Sequence, residues 1–475
     1  MTSSTLQTDY LIVGAGAVGM AFADQLLTET DASVTLVDRR PLPGGHWNDA
    51  YPFVRLHQPS AYYGVGSRSL GSGRIDQVGF NAGNYEMASG AEVLSYFDSL
   101  MRERFLPSGR VTFLPMADHT QAGRIVSRLS GEVRTVEVRR RFVDATLTDT
   151  QLPSTHPPAF EVDTGVRLVT PNDLPRAAPV RGRYVILGGG KTGMDVGVWL
   201  LAAGVRPEAI RWVAPREAWL TNRDTVQPGW AAFRRTAGGQ ALQFEAAAEA
   251  ATIDDLFARL ERSGQILRIH PDVDPTMFRG ATASPAEVAL LRRIGDVVRL
   301  GRVQRLQSRR IILSDGEIEA APDDLYIDCT ARGVGLRTLG PVFDGDWIRV
   351  RMVRANLVSF SAAIIAHVEA AGGDDAAKNA LCAPVCVAER DTDWPRQMLT
   401  DLRNSRVWSS DKAFRRWIGE HRLSGFSGTR LEMADPAELE IAQRIRDARP
   451  RAEANLARLV AMFDTDALAP AGLVE

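Results

Sequence analysis

At 475 residues, with 45% hydrophobic and 24% charged side chains, the chain is too long for one ordinary core and has the composition of a soluble protein of two or three domains. A formal net charge of -2 offers nothing to nucleic acid or an anionic membrane, and no apolar run reaches the ~20 residues of a bilayer span. Three cysteines, Cys329, Cys382 and Cys386, exclude a disulfide scaffold and point to a reducing compartment, so a cytoplasmic location is expected.

The first apolar run, 10–13, reads as a parallel strand buried on both faces. It is no signal peptide, because a basic flank is missing, Asp9 precedes it and glycines interrupt the residues after Val13. Those glycines are Gly14, Gly16 and Gly19 of GAGAVG. In a nucleotide-binding turn the first permits the tight bend, the second lets the backbone approach a pyrophosphate, and the third lets the helix pack closely. The spacing predicts a helix over 17–28 with its positive end at the phosphates, then a strand over 33–37. Asp38, 19 residues after Gly19 and followed by Arg39, stands where a carboxylate accepts from ribose hydroxyls. The combination predicts a dinucleotide site.

Next come Pro43-Gly-Gly-His-Trp47 and Tyr51-Pro-Phe-Val-Arg-Leu-His57. A glycine loop followed by Gly-Gly-x-Trp and then a Tyr resembles the flavin-containing and Baeyer–Villiger monooxygenases, the class B flavoprotein monooxygenases. The resemblance implies FAD at the first site, lying along Gly44, Gly45, His46 and Trp47. It also implies that the residue six past the Tyr sits over the flavin ring. Those families carry Asn or Asp there, and this chain carries His57. An imidazole of pKa about 6.5 can donate a proton or hold a peroxide; a histidine satisfied within a loop is the alternative. Phe80, Asn81 and Tyr85 also resemble the family's segment after the flavin loop. Val93, Leu94, Phe97, Leu100 and Met101 then mark the core face of a helix.

Between about 145 and 180 prolines gather, which suits a crossover. The pattern then restarts with a strand at 184–187, Gly188, Gly190 and Gly193 of GGGKTG, and a helix through Ala203. Thr192 brings a hydroxyl for a phosphate oxygen or a helix cap, and Asp195 reads as a first-turn acid favoured by the helix dipole. The strand at 210–213 runs into Arg216, where an NAD site would carry an acid, and Arg223 lies seven residues on. A guanidinium clamps phosphate with two parallel hydrogen bonds, so NADPH is expected, against the alternative of a solvated arginine. The 214–223 stretch also resembles the monooxygenases' Arg-x-x-x-Trp element. Two such loops imply two dinucleotides in one chain and electron transfer between them.

Residues 241–260 look helical and alanine-rich, a segment able to shape a substrate entrance. The apolar stretch 324–332 resembles the family's strand ending in Ala-Thr-Gly, which returns the chain to the flavin domain; here it reads Cys329-Thr330-Ala331. At 358–368 a turn opens a helix, and the resemblance implies that its start faces the flavin's pyrimidine edge, with Ser361 and Ala362 as contacts. The last hundred residues are helical, with Trp394, Trp408, Arg415, Arg416 and Trp417 covering a core, an oligomer contact or a substrate lid. The expected fold class is α/β with two Rossmann-like domains. A nicotinamide domain at 166–321 is inserted into a FAD domain made of 1–165 and 322–475, the latter including the C-terminal helical region.

One family element is missing. No Phe-x-Gly-x-x-x-His-x-x-x-aromatic stretch precedes the second glycine loop, and His156 is the nearest candidate. The pair Cys382 and Cys386 has the wrong spacing for a disulfide reductase and reads as packing, and no metal site is expected. The expectation is an FAD- and NADPH-dependent monooxygenase that forms a flavin hydroperoxide and uses dioxygen to oxygenate a small organic substrate. A flavin-dependent dehydrogenase or reductase that does not oxygenate is the alternative, and a non-enzymatic redox-sensing flavoprotein is a third reading.

Overall fold

The computed structural model describes residues 6–121, 123–146, 150–177, 180–331, 339–426 and 435–464. Two parallel sheets organise the chain, as the α/β reading predicts. In the first, Leu6–Val13 lies between Val34–Val37 and Val133–Asp144, with Val111–Leu114 and Trp347–Arg349 extending it on either side, all parallel. In the second, the order is Arg167–Val169, Leu325–Asp328, Tyr184–Leu187, Ile210–Val213 and Asp296–Val298, again all parallel.

Burial explains why these short runs are strands. Every residue of Val34–Val37 is buried, which suits strands covered by helices on both faces. On the first sheet the helix Ala17–Glu29 packs against Val358–Ala371, and Phe22, Phe360, Ile364 and Ile365 are almost wholly sequestered between them. Emptying one such position, as in Phe22→Ala, costs about 3–5 kcal/mol. A second core under Tyr184–Leu187 gathers Met194, Leu200, Trp212 and Ile327.

Two boundaries differ from the sequence expectation. The strand Leu325–Asp328, expected to re-enter the first domain, pairs with Tyr184–Leu187 in register Leu187↔Asp328 and therefore belongs to the second sheet. The crossing back occurs after it, before Phe343–Asp344 and Trp347–Arg349 join the first sheet, so the boundary at 321 is too early. The C-terminal region does not simply complete the first domain either. Helix Pro436–Asp464 lies on Phe233–Glu249 of the insert, and Ala448, Ala452 and Leu456 share a core with Phe244, Phe257 and Trp394. Trp408 and Phe414 belong to the first core instead. The region thus spans both units. Residues 241–260, expected as one helical stretch, form parts of two helices, Phe233–Glu249 and Ile253–Arg262, whose apolar faces this same core buries. The tail after Asp464 and Pro179 of the crossover lie outside the described residues.

Candidate functional site

The two glycine turns are built alike. Gly14 donates its amide to Val37 and Gly188 to Val213, each at 2.8 Å, so each turn begins where its strand leaves the sheet. Both residues hold left-handed backbone, with φ of +103° and +114°, a conformation natural to glycine alone. A Cβ on Gly19 would lie 1.9 Å from the Gly14 carbonyl oxygen, and one on Gly193 would lie 2.2 Å from that of Gly188. Only hydrogen fits at either position. Gly16 and Gly190 occupy the caps of the following helices, and neither helix start has a side-chain cap. Amides at such starts remain directed to an anion, which is what a pyrophosphate requires.

At the first turn Asp38 is buried and accepts from the amides of Ala15 (2.7 Å) and Arg40 (2.9 Å), which fixes its carboxylate beside the glycine loop; Arg39 is exposed. The Gly-Gly-His-Trp segment closes over this turn. Gly44 donates to the Ala15 carbonyl at 2.8 Å, and a Cβ on Gly45 would stand 2.9 Å from the Gly16 Cα. Trp47 is buried, donates to the Tyr63 hydroxyl at 2.7 Å and stacks on His46, whose pKa burial lowers to about 4. Glycine at 45 is therefore demanded by a backbone contact, and the resemblance noticed in the sequence has a packing basis.

The chain from Gly45 to His57 then crosses to the second turn. The Tyr51 hydroxyl donates to Asp195 at 2.7 Å, and the Arg223 Nε donates to the His57 carbonyl at 2.8 Å. Asp195 is thus not a first-turn acid; it lies beyond the first turn of Lys191–Ala202 and ties that helix to the first unit, with Lys191 ion-paired to it. Lys191 also stands 3.7 Å from Glu287, which meets Arg223 at 2.5 Å. Burial and the neighbouring Lys191 and Arg223 hold the His57 pKa well below its ordinary value, so this imidazole is neutral at pH 7. The group expected from sequence to donate a proton or hold a peroxide has one N–H to offer and no charge.

Lys191, Asp195, Arg223 and Glu287 end a cavity of about 320 Å³ between the two units. Phe53 and Trp199 stack on each other in its wall at 4.7 Å, and Leu56, Phe80 and Met87 complete the apolar lining. An aromatic-lined hollow with charged groups at one end is the form of a small-molecule site.

Several expected residues fall elsewhere. Arg223 is fully buried and engaged by Glu287, His57 and the Thr282 carbonyl, so it does not stand with Arg216 at a phosphate. Arg216 is exposed beside the second turn, its carbonyl 2.8 Å from the Cβ position of Gly189. Ser361 is buried with its hydroxyl accepting from the amides of Val353 and Arg354, and Ala362 is wholly enclosed, so neither offers an open contact. Ser359, in the same first turn, has a buried hydroxyl without a partner. Thr192 lies half-buried and acts on the Tyr51 hydroxyl rather than as a cap. The Cys329, Cys382 and Cys386 thiols are all pushed up by burial and stay protonated, as packing residues do.

Sequence reasoning missed Lys191, Glu287 and Ser359. The lysine sits inside the second glycine motif itself, and a polar residue replacing the usual small one was its only signal. Glu287 is announced by nothing but the capping box that it forms with Ser284.

The first turn has the form of a Rossmann-like nucleotide-binding unit, and the model of the NAD(P)-binding Rossmann-like domain matches residues 12–64. The chain belongs to the family of the uncharacterized protein Rv2000 of Mycobacterium tuberculosis (strain ATCC 25618 / H37Rv), to which it is 48% identical over 422 residues, 89% of this chain and 78% of that one. A ferredoxin–NADP reductase of Salinispora tropica is 33% identical over 92 residues, 19% of this chain and 28% of its own. Among solved structures, a polycyclic ketone monooxygenase from Thermothelomyces thermophila gives a TM-score of 0.49 at 13% identity, covering 97% of this chain and 88% of that one. A flavin monooxygenase from Stenotrophomonas maltophilia gives 0.43 at 17%, covering 77% and 99%. Likenesses so distant do not bear on chemistry. Among the described residues no helix is long and apolar enough to cross a membrane.

Proposed function

We propose that this chain is an FAD- and NADPH-dependent monooxygenase acting with dioxygen on a small organic substrate. One observation carries the reading: a single segment, 45–57, packs on one glycine turn at Gly16 and reaches the other through Asp195. FAD fits the first turn, where Gly14, Gly16 and Gly19 clear the backbone, Asp38 is placed for a ribose, and Gly45 and Trp47 close the loop over it. NADPH fits the second, where Gly188, Gly190 and Gly193 repeat that cradle and Arg216 replaces the ribose acid. When bound, the flavin supplies the centre that accepts a hydride from the nicotinamide and passes electrons to dioxygen.

The protein's own part is positional and electrostatic. Tyr51 at its middle and Arg223 at its C-terminal end hold the 45–57 segment against the second unit. His57, neutral through burial, offers one N–H to an oxygen without placing a third positive charge beside Lys191 and Arg223. The apolar wall around Phe53 and Trp199 takes the body of the substrate.

His57→Ala should raise hydrogen peroxide released per NADPH consumed by about tenfold, the loss of one donor to a developing oxyanion. Unchanged coupling removes His57 from the mechanism. The absent Phe-x-Gly-x-x-x-His element favours a second reading, a flavin-dependent dehydrogenase or reductase. Incorporation of label from ¹⁸O₂ into product separates the two.

A further inference from the structure

Beside the second glycine turn lies a charged group that the proposed chemistry leaves unused. Glu217 follows Arg216 directly and is 6% exposed. A carboxylate just past this strand is what accepts ribose hydroxyls in an NAD site. Here it is fully engaged elsewhere. The Arg299 Nη2 and the His270 Nδ1 both meet its Oε1, and the His270 amide donates to its Oε2 at 3.2 Å. Arg299 and His270 are themselves 2.8 Å apart, so three side chains close into one unit. Gly189, Arg216, Glu217 and His270 line the same small recess.

What remains toward the turn is positive. Arg216 is exposed there, and Arg279 and Arg302 lie near enough to act on its guanidinium, while Glu389 pairs with Arg279. Arg216, exposed beside the turn at the edge of this recess, suits a phosphate monoester dianion, and a free Glu217 carboxylate next to it would repel that dianion.

We propose that Arg299 sets the choice of nicotinamide dinucleotide by holding Glu217 away from the ribose, leaving Arg216 to take a 2′-phosphate. Arg299 is a positioning residue; it acts through Glu217. The inference rests on the second turn being the NADPH site.

Calorimetry on the full chain with adenosine 2′,5′-bisphosphate and 5′-AMP tests it without flavin or turnover. The unaltered protein should prefer the bisphosphate by at least about tenfold, and Arg299→Ala should cut that ratio by about tenfold. Adding Glu217→Gln to Arg299→Ala should restore it, because the released charge is then gone. Glu217→Gln alone should keep the preference, and it decides the matter should Arg299→Ala fail to fold. Undiminished discrimination in Arg299→Ala, or loss of the bisphosphate preference in Glu217→Gln, overturns the inference while the site stands. Indifference of the unaltered protein to the 2′-phosphate overturns the underlying reading instead.

Discussion

Glu287 balances the charges of the cleft. It stands between Arg223 and Lys191, both largely withdrawn from water, and its carboxyl is held below the usual range against its own burial. Glu287→Ala leaves Arg223 buried and uncompensated, and should cost about 3–5 kcal/mol in urea denaturation. Replacing both partners, Arg223→Met with Glu287→Leu, should cost far less, because no orphaned charge remains. Equal losses in the two variants would mean that the pair is not coupled. Acid should also loosen the molecule. His46 and His421 are drawn down to about 4 by burial, and His57 well below its ordinary value. These rings bind protons in the unfolded chain before they do in the folded one, so stability falls as pH drops below about 6.5 toward 4. His421 accounts for about 2–3 kcal/mol of that loss. A melting temperature flat from pH 7 to 4.5 contradicts this. The sequence announced His57 through its distance from Tyr51, yet its neutrality was hidden, since Lys191 and Arg223 reach it from remote segments.

At the scale of elements, the two strand–turn–helix units were readable because each is written in consecutive residues with an explicit steric rule. Gly19 and Gly193 admit no Cβ, and each substitution should disable its own cofactor only. Gly193→Ala should retain flavin absorbance yet lose reduction by NADPH, whereas Gly19→Ala should be purified colourless. The strand Leu325–Asp328 was legible as a strand, but not as to which sheet it joins. Parallel pairing depends on partners from 167–187, and nothing within four residues encodes it. Arg223 was misplaced for a similar reason. Its place seven residues after Arg216 suggested a phosphate, while Glu287 and the His57 carbonyl, both distant in the chain, determine where it points.

For the whole molecule, the C-terminal region joins the two units. Trp394, Ala448 and Leu456 pack with the insert, and Trp408 and Phe414 with the first core. Ending the chain at 435 should expose the Phe244–Phe257 core and lower the melting temperature by more than about 8 °C, the sign of several kcal/mol of lost burial. An unchanged melting temperature would show that this helix does not stabilise the insert. Composition made this region visible as helical, but not its partner, because an amphipathic stripe does not name the face that covers it. Across these scales the central claim is that two dinucleotides lie at opposite ends of the 45–57 segment. Anaerobic NADPH titration of the flavin-loaded protein, followed by absorbance, tests it most directly. The account predicts stoichiometric bleaching of the flavin band in the unaltered chain and none in Gly193→Ala; a chain that takes up no FAD, or whose flavin stays oxidised under NADPH, contradicts it.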